Sequence, residues 1–376
     1  MRTDIAHDGS ARAADATPSG ALLEGYLNRV REHVLEELRE IVPADSRKTG
    51  GLYALMLDYP LRGGKSLRPA LCLATCRALG GSLASALRPA AVLELYHNAF
   101  LIHDDVEDRS STRRSEPTLH ETWGVPIAVN VGDGMLALCM EALLDGLETL
   151  GVGKTLRIYR TMARMARETA EGQMIELQWV RSVAWSPSDR EYVRMVYKKT
   201  AWYSFIAPML VGAAAAARTD VDRQMHRFAS LLGIAFQIRD DLLNLAHDVP
   251  GYGKERAGDL WEGKHTLILA STLRRASAVE RTRAAAILQK PRGGGETTAA
   301  PTLPQSQQEG FKTPEDIDYL LALIERYDGV AYAAAVASRY AARARSVLRG
   351  LETTTGDSSH MRFIAAVVDY VIDRRD

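Results

Sequence analysis

An all-α fold is predicted by three features of this 376-residue sequence. Apolar residues recur at three- and four-residue spacing from Ala21 onward, the period of a helix that buries one face. No stretch alternates apolar and polar residues as a half-buried strand does, and no segment repeats at a fixed period. Two apolar runs, Leu93 to His120 and Leu231 to Asp248, each lead into paired aspartates. Two helices that carry acids at the end of a buried stripe can face each other across a bundle.

In chain order, residues 1–20 are small and polar and read as a disordered tail. Residues 21–376 read as one domain, within the size one large domain can reach. Ala21–Ile41 has helical spacing and ends before Pro43. Leu52–Leu57 is a short helix stopped by Asp58, Tyr59 and Pro60. The glycines of LRGGKSLRP precede a helix from Pro69 to Leu79, which Gly80 and Gly81 end. Pro89–Asp105 is the first acidic helix, and VPIAVNVGDGMLALCMEALL reads as a buried helix enclosing Asp133. Leu156–Trp179 and a helix opening at Pro187 follow, the latter with Lys198, Lys199 and Thr200 inside an apolar run. Arg223–His247 is the second acidic helix, and a glycine-rich basic loop comes directly after it. Residues 290–314, rich in Pro, Gly and Gln, read as a flexible surface insertion. Ile317–Leu348 and Phe363–Ile372 supply the last helices.

Composition excludes several classes. Acidic and basic residues balance at 47 each, so bulk charge offers nothing to nucleic acid. The three cysteines, Cys72, Cys76 and Cys139, lack zinc or redox spacing and read as reduced core residues. No N-terminal apolar stretch resembles a signal peptide, and no uninterrupted run of about 18 apolar residues suggests a membrane span. The expectation is a soluble, cytoplasmic protein.

The chemistry is in the aspartates. Asp104 and Asp108 are one helical turn apart on one face, with Asp105 beside them. Alone, this segment could be a solvated acidic helix end. The second copy weighs against that reading: Asp240 and Asp241 stand among Ile234, Phe236, Ile238, Leu242 and Leu243. Clustered carboxylates in an apolar setting call for a cation, and Mg²⁺ takes one or two carboxylates, waters and substrate phosphates. Lys65, Arg68, Arg113, Arg114, Lys199, Lys254 and Lys264 add positive charge nearby in sequence. Metal and bases around an apolar interior suit a diphosphate with a greasy tail, and metal-assisted departure of that diphosphate. No Ser/His or Cys/His arrangement points to a covalent nucleophile.

These motifs resemble the trans-isoprenyl diphosphate synthases of the polyprenyl synthetase family. The first aspartate-rich motif stands as Asp104-Asp105-Val106-Glu107-Asp108, with Arg113-Arg114 after it. Gly64-Lys65-Ser66-Leu67-Arg68-Pro69, Lys199-Thr200, Phe236-Gln237-Ile238-Arg239-Asp240-Asp241 and Gly253-Lys254 through Thr266 follow in family order. The resemblance implies an isoprenoid-synthase-type bundle with a central apolar cavity, usually a homodimer. It implies that Asp104, Asp108 and Asp240 bind Mg²⁺, three ions in all, bridging an allylic diphosphate (dimethylallyl, geranyl or farnesyl), with Asp105 and Asp241 in support. Arg113, Lys199, Lys254 and Lys264 would contact that diphosphate. Lys65, Arg68, His97 and Arg114 would hold isopentenyl diphosphate, and Thr200 and Gln237 would turn oxygens toward a carbocation. The second motif departs from many members in ending at Asn244, as in animal and fungal geranylgeranyl diphosphate synthases.

Tail length follows from position on the first acidic helix, since a turn of about 5.4 Å matches one isoprene unit. In the family, aromatics four and five residues before the first Asp stop growth at fifteen carbons. Here those positions are Phe100 and Ala99, with Tyr96 a turn further up. The expected product is therefore geranylgeranyl diphosphate. Farnesyl diphosphate synthesis, a terpene cyclase on the same fold and a regulatory subunit of a heteromeric synthase are the alternatives. Retention of both Asp pairs and of the isopentenyl-binding residues favours elongation.

Overall fold

A computed structural model describes residues 18–45, 48–181, 187–246, 257–291, 310–356 and 358–373. Its helices are α1 (Pro18–Ile41), α2 (Leu52–Leu61), α3 (Leu67–Ala78), α4 (Leu83–Asp108), α5 (Leu119–Trp123), α6 (Val125–Asp145), α7 (Leu147–Leu150), α8 (Val152–Arg181) and α9 (Asp189–Val196). A π-helical segment, Tyr197–Ile206, joins α9 to α10 (Ala207–Ala215). The chain continues through α11 (Asp222–Leu245), α12 (Gly258–Glu262), α13 (Leu267–Arg275), α14 (Ala278–Gln289), α15 (Pro314–Arg326), α16 (Gly329–Thr355) and α17 (Ser359–Asp373). The all-α prediction holds.

Two hydrophobic clusters underlie the bundle. The larger is built from α1, α3, α4, α6, α8, the π segment, α10, α11 and α17, with Val92, Leu95, Phe205, Phe228 and Phe363 at its heart. The smaller packs α9, α12, α13, α14 and α15 against one face of α16. α11 contributes to both, because Leu232 and Ala235 face one cluster and Ile234 and Ile238 the other. The second acidic motif is thus carried to the junction of the two. All three cysteines are free and buried, as expected.

Several boundaries differ from the sequence reading. α1 starts at Pro18, inside the expected tail, because Pro tolerates a first-turn position where the missing N–H costs nothing. α2 runs through Pro60 to Leu61, closed by a bond from Arg62 N to Asp58 O (3.2 Å). Burial of Tyr59 and Pro60 offsets the one helix bond that proline removes. α4 likewise begins at Leu83, not Pro89: Ser82 Oγ caps it by accepting from Ser85 N, and Pro89 rides inside. A two-residue hairpin, β1 (Thr112–Arg113) with β2 (Glu116–Pro117), corrects the expectation of no strand. Its central residues, Arg114 and Ser115, both have positive φ, as a tight hairpin turn requires. Without Asn-Gly at those positions the turn leaves little mark in the sequence.

The expected insertion at 290–314 is held at both ends. Lys290 pairs with Asp316 (2.7 Å), and Lys312 is buried, donating from N to Pro291 O (2.9 Å) and from Nζ to Trp261 O (2.8 Å). Residues 292–309 lie outside the described residues, as do residues 1–17 of the tail.

The helix expected to be buried around Asp133 is buried on one side only. Val125, Ile127, Met140 and Leu144 of α6 are 42–50% exposed, and Trp123 and Val152 beside it are more so. Val125–Leu150 is also long and apolar enough to cross a membrane by length and composition, with 44% of its most apolar window buried. Its apolar residues are interrupted by Asn130, Gly132, Asp133 and Gly134, so no unbroken run announces it.

Candidate active site

α4 and α11 deliver the two acidic motifs to one place. The shared neighbours are Glu176 on α8, Lys199 on the π segment and Lys264 after α12. Lys199 Nζ is ion-paired with Glu176 and lies 3.7 Å from Asp104. Lys264 Nζ contacts Asp108 (2.8 Å) and Glu262 (2.6 Å). Burial works against the charge of Glu176, but Lys199 and Lys264 outweigh it and hold the carboxyl below its usual range; Asp104 opposes them. Glu176 also repels Asp241 of the second motif. Both lysines are partly buried, which works against their charge, and their acidic partners more than compensate, raising each above the ordinary lysine range.

Close helix crossings place Lys199 and Thr200. A Cβ on Gly172 of α8 would stand 2.3 Å from Lys199 N, and one on Gly233 of α11 would stand 2.7 Å from Ala201 Cα. Glycine at both positions lets two helices close on the π segment from either side. The segment itself carries one residue too many for α-helical bonding, a feature frequent at functional sites.

Within each aspartate pair the two members differ. Asp104 is about one-third exposed, whereas Asp105 is fully buried and held by Tyr59 Oη (2.7 Å) and by the Arg113 guanidinium. Asp240 is half-buried, whereas Asp241 is buried, accepting from Tyr192 Oη (2.7 Å) and Gln237 Nε2 (2.7 Å). An ionised carboxylate accepts only, so the Gln237 amide nitrogen must face Asp241 and its oxygen must face away. Thr200 Oγ1 donates to that oxygen (2.7 Å). The threonine proton is thereby committed to Gln237, and the hydroxyl's remaining lone pairs are free to face a cation.

A separate basic pocket lies up α4. A cavity of about 110 Å³ is lined by Lys65, Arg68, Glu94, His97, Arg114 and Tyr370, among others. Lys65 Nζ donates to Tyr370 Oη (2.6 Å), Arg68 to Ser204 Oγ (2.8 Å) and Arg114 to Tyr59 O (2.6 Å). Arg68 Nε and His97 Nδ1 are buried without a partner. Burial and then the Arg68 and Arg114 charges hold His97 well below its usual range, so its ring is neutral. His97 and the basic side chains around it thus offer hydrogen bonds to an anion. Tyr96 and Phe100 share one face of α4 with ring centroids 4.6 Å apart, and Tyr203 stands 5.8 Å from Phe100. Ala99 is fully buried in the larger core.

Most of the charged residues singled out in the sequence thus fall into two groups. Asp104, Asp108, Lys199, Lys264 and the Asp240–Asp241 pair converge, and Lys65, Arg68, His97 and Arg114 form the second pocket. Arg113, expected on a diphosphate, is instead engaged with Asp105. Lys254 lies outside the described residues. Asn244 is buried and anchors the turn before α12: its Oδ1 accepts from Asp259 N (3.1 Å) and its carbonyl from Ala257 N (2.8 Å). Sequence reasoning missed Glu176, Tyr59, Tyr192 and Tyr203. Glu176 alone left a signal, as an acid within the GQMIELQW end of its helix.

The donor set fits a hard divalent cation. Asp108 has its carboxyl raised to about 7 by burial, with Asp104 and Glu262 adding repulsion against the pull of Lys264. Such excess negative charge favours a bound metal ion. Among the described residues no three His, Cys, Asp or Glu side chains group closely enough to hold a metal ion by themselves.

The polyprenyl synthetase family profile matches residues 51–300. The chain is 29% identical to a short chain isoprenyl diphosphate synthase of Methanothermobacter thermautotrophicus, over 94% of this chain and 98% of that protein. It is 33% identical to a geranylgeranyl diphosphate synthase of Methanosarcina mazei, over 66% of this chain and 74% of that protein. A crystal structure of geranylgeranyl pyrophosphate synthase from Corynebacterium glutamicum, complexed with isoprenyl diphosphate and magnesium, superposes with a TM-score of 0.77 at 25% identity, covering 94% of this chain and 99% of that one.

Proposed function

The chain belongs to the polyprenyl synthetase family of chain-elongating prenyltransferases, and from that premise we propose that it is a Mg²⁺-dependent geranylgeranyl diphosphate synthase. The carrying observation is the pair of adjacent anion sites on α4, one acidic and lysine-lined, the other basic and metal-free in its chemistry. A reaction that joins two diphosphates needs both. The allylic diphosphate is assigned to Asp104, Asp108, Asp240, Lys199 and Lys264, with Lys254 as a further contact. Isopentenyl diphosphate is assigned to Lys65, Arg68, His97 and Arg114. Mg²⁺, three ions when bound, supplies positive charge to the leaving oxygens.

The remaining work falls to the chain. Lys199 and Lys264 exchange Glu176 and Asp108 for phosphate oxygens. Thr200, oriented by Gln237, presents lone pairs toward the allylic carbon as positive charge develops there. The buried apolar and aromatic side chains along α4 exclude water, so the cation meets the isopentenyl double bond instead. The departing diphosphate is assigned as the acceptor for the proton that is lost.

Incubation with geranyl diphosphate, with and without isopentenyl diphosphate, tests the reading. Elongated diphosphate only when both are present is the expected result. Hydrocarbon from geranyl diphosphate alone would indicate a cyclase instead. Activity of the purified chain by itself excludes a purely regulatory subunit.

Arg68→Ala is expected to raise KM for isopentenyl diphosphate more than for the allylic substrate, and Lys199→Ala to do the reverse. Each loses a charge-assisted contact to phosphate worth about 1.5–3 kcal/mol, or roughly ten- to hundredfold. Steady-state kinetics with one substrate varied at a time measures both; equal effects on the two substrates would reassign the pockets.

A homodimer in the cytoplasm completes the proposal. The exposed apolar side of α6, with Trp123 and Val152, suits a second copy of this chain better than water. The three free thiols suit a reducing compartment. Sedimentation should give twice the 41.3 kDa chain mass, and Leu144→Glu should shift it toward the monomer. A monomeric parent protein would discard the dimer.

A further inference from the structure

Each aspartate pair contains a residue that the proposed metal site does not use, and each of those is held by a buried tyrosine from an unrelated helix. Tyr59 of α2 donates to Asp105 Oδ2 (2.7 Å), and Tyr192 of α9 donates to Asp241 Oδ2 (2.7 Å). Both phenols are about 1% exposed. A second donor takes the other carboxylate oxygen in both cases: Arg113 at Asp105 Oδ1 (3.1 Å from Nε) and Gln237 at Asp241 Oδ1 (2.7 Å). With both oxygens engaged by donors inside the protein, Asp105 and Asp241 are anchors and cannot turn outward without breaking buried hydrogen bonds.

Each tyrosine also reaches a second functional group. Tyr59 accepts the Arg114 guanidinium on its carbonyl oxygen (2.6 Å), which ties the first aspartate motif to the basic pocket. Its hydroxyl accepts in turn from Leu119 N (3.3 Å). Tyr192 acts through Asp241 on Gln237, and Gln237 on Thr200. A phenol that only needed a partner could use any buried carbonyl. Finding the same solution twice, on the non-ligand member of each pair, points to a requirement of the site.

We propose that Tyr59 and Tyr192 are positioning residues: each locks the second aspartate of its pair, and so fixes the helix end that presents the first aspartate to metal and diphosphate. The inference rests on the proposed Mg²⁺–diphosphate site. In a helix, neighbouring side chains project about 100° apart, so pinning Asp105 inward sets the direction of Asp104. The same holds for Asp241 and Asp240. Hydrogen-bonding partners that orient a ligand set are typically worth tenfold to a hundredfold in metal affinity.

The experiment measures binding of inorganic pyrophosphate to the full chain by calorimetry as Mg²⁺ is varied, alongside thermal unfolding without ligand. The wild-type protein serves as the control for the site: absence of Mg²⁺-dependent pyrophosphate binding there would overturn the proposed function and the inference with it. Given that binding, Tyr59→Phe and Tyr192→Phe should each raise the half-saturating Mg²⁺ concentration roughly tenfold or more. A lowered melting temperature with an unchanged Mg²⁺ requirement would show a purely structural role and overturn the inference alone. Asp241→Asn, which keeps the side-chain volume, provides a second variant for the α11 motif. Combined with Tyr192→Phe, it should raise the Mg²⁺ requirement no further than the larger single effect, because both changes break one linkage. Additive effects would mean that the tyrosine acts elsewhere.

Discussion

Asp104→Ala and Asp240→Ala are each expected to lower turnover by several orders of magnitude at saturating substrate and Mg²⁺. In the proposed site each change removes a hard oxygen ligand for a Mg²⁺ ion that would sit between protein and diphosphate, where charge accumulates as the bond breaks. A loss of three orders corresponds to about 4 kcal/mol of transition-state stabilisation, within what direct ligands to reacting charge supply. Asn244→Ala provides the contrast. Asn244 holds the turn at Ala257–Asp259 through its side chain and its carbonyl, so its truncation should lower the melting temperature and leave turnover far less affected. Turnover numbers and unfolding curves for the three variants decide this. If Asn244→Ala matched Asp240→Ala in turnover while melting like the parent, Asn244 would belong among the ligands.

A product shift from twenty to fifteen carbons is expected from Ala99→Phe, and a shift to longer products from Phe100→Ala. The proposal places the floor of the tail site at rings on one face of α4, where Tyr96 stands against Phe100 and Tyr203 of the π segment stands on the other side of Phe100. Ala99 supplies no second ring beside Phe100, and the twenty-carbon proposal rests on that missing ring. Because Ala99 has no exposed surface, the added ring must displace neighbours, and overpacking of this kind costs about 1–3 kcal/mol. A lower melting temperature is expected with the shorter product. Phe100→Ala removes atoms instead and tests the same floor without strain. Chromatography of the dephosphorylated products reads both. A fifteen-carbon alcohol from the unmodified enzyme, unchanged by Ala99→Phe, would show that Phe100 alone closes the site.

The sequence by itself determined the helical class, the two acidic helices and the motif residues, because each depends on local spacing. A 3.6-residue period needs no partner to be visible, and an Asp pair in an apolar run is costly enough to announce itself. The all-α bundle, the buried free cysteines, and the convergence of Asp104, Asp108, Lys199 and Lys264 all agree with that reading. Only the tertiary structure decided what depends on contacts distant in sequence. Arg113 and Arg114 are neighbours, yet the hairpin turn sends one to Asp105 and the other to the basic pocket. Pro60 and Pro89 sit inside helices because buried packing outweighs one lost backbone bond. Tyr59 lies 46 residues from Asp105 and Tyr192 lies 49 from Asp241. No periodicity encodes such pairings, since a hydrogen bond between helices is set by how the helices cross and not by the residues on either side of it.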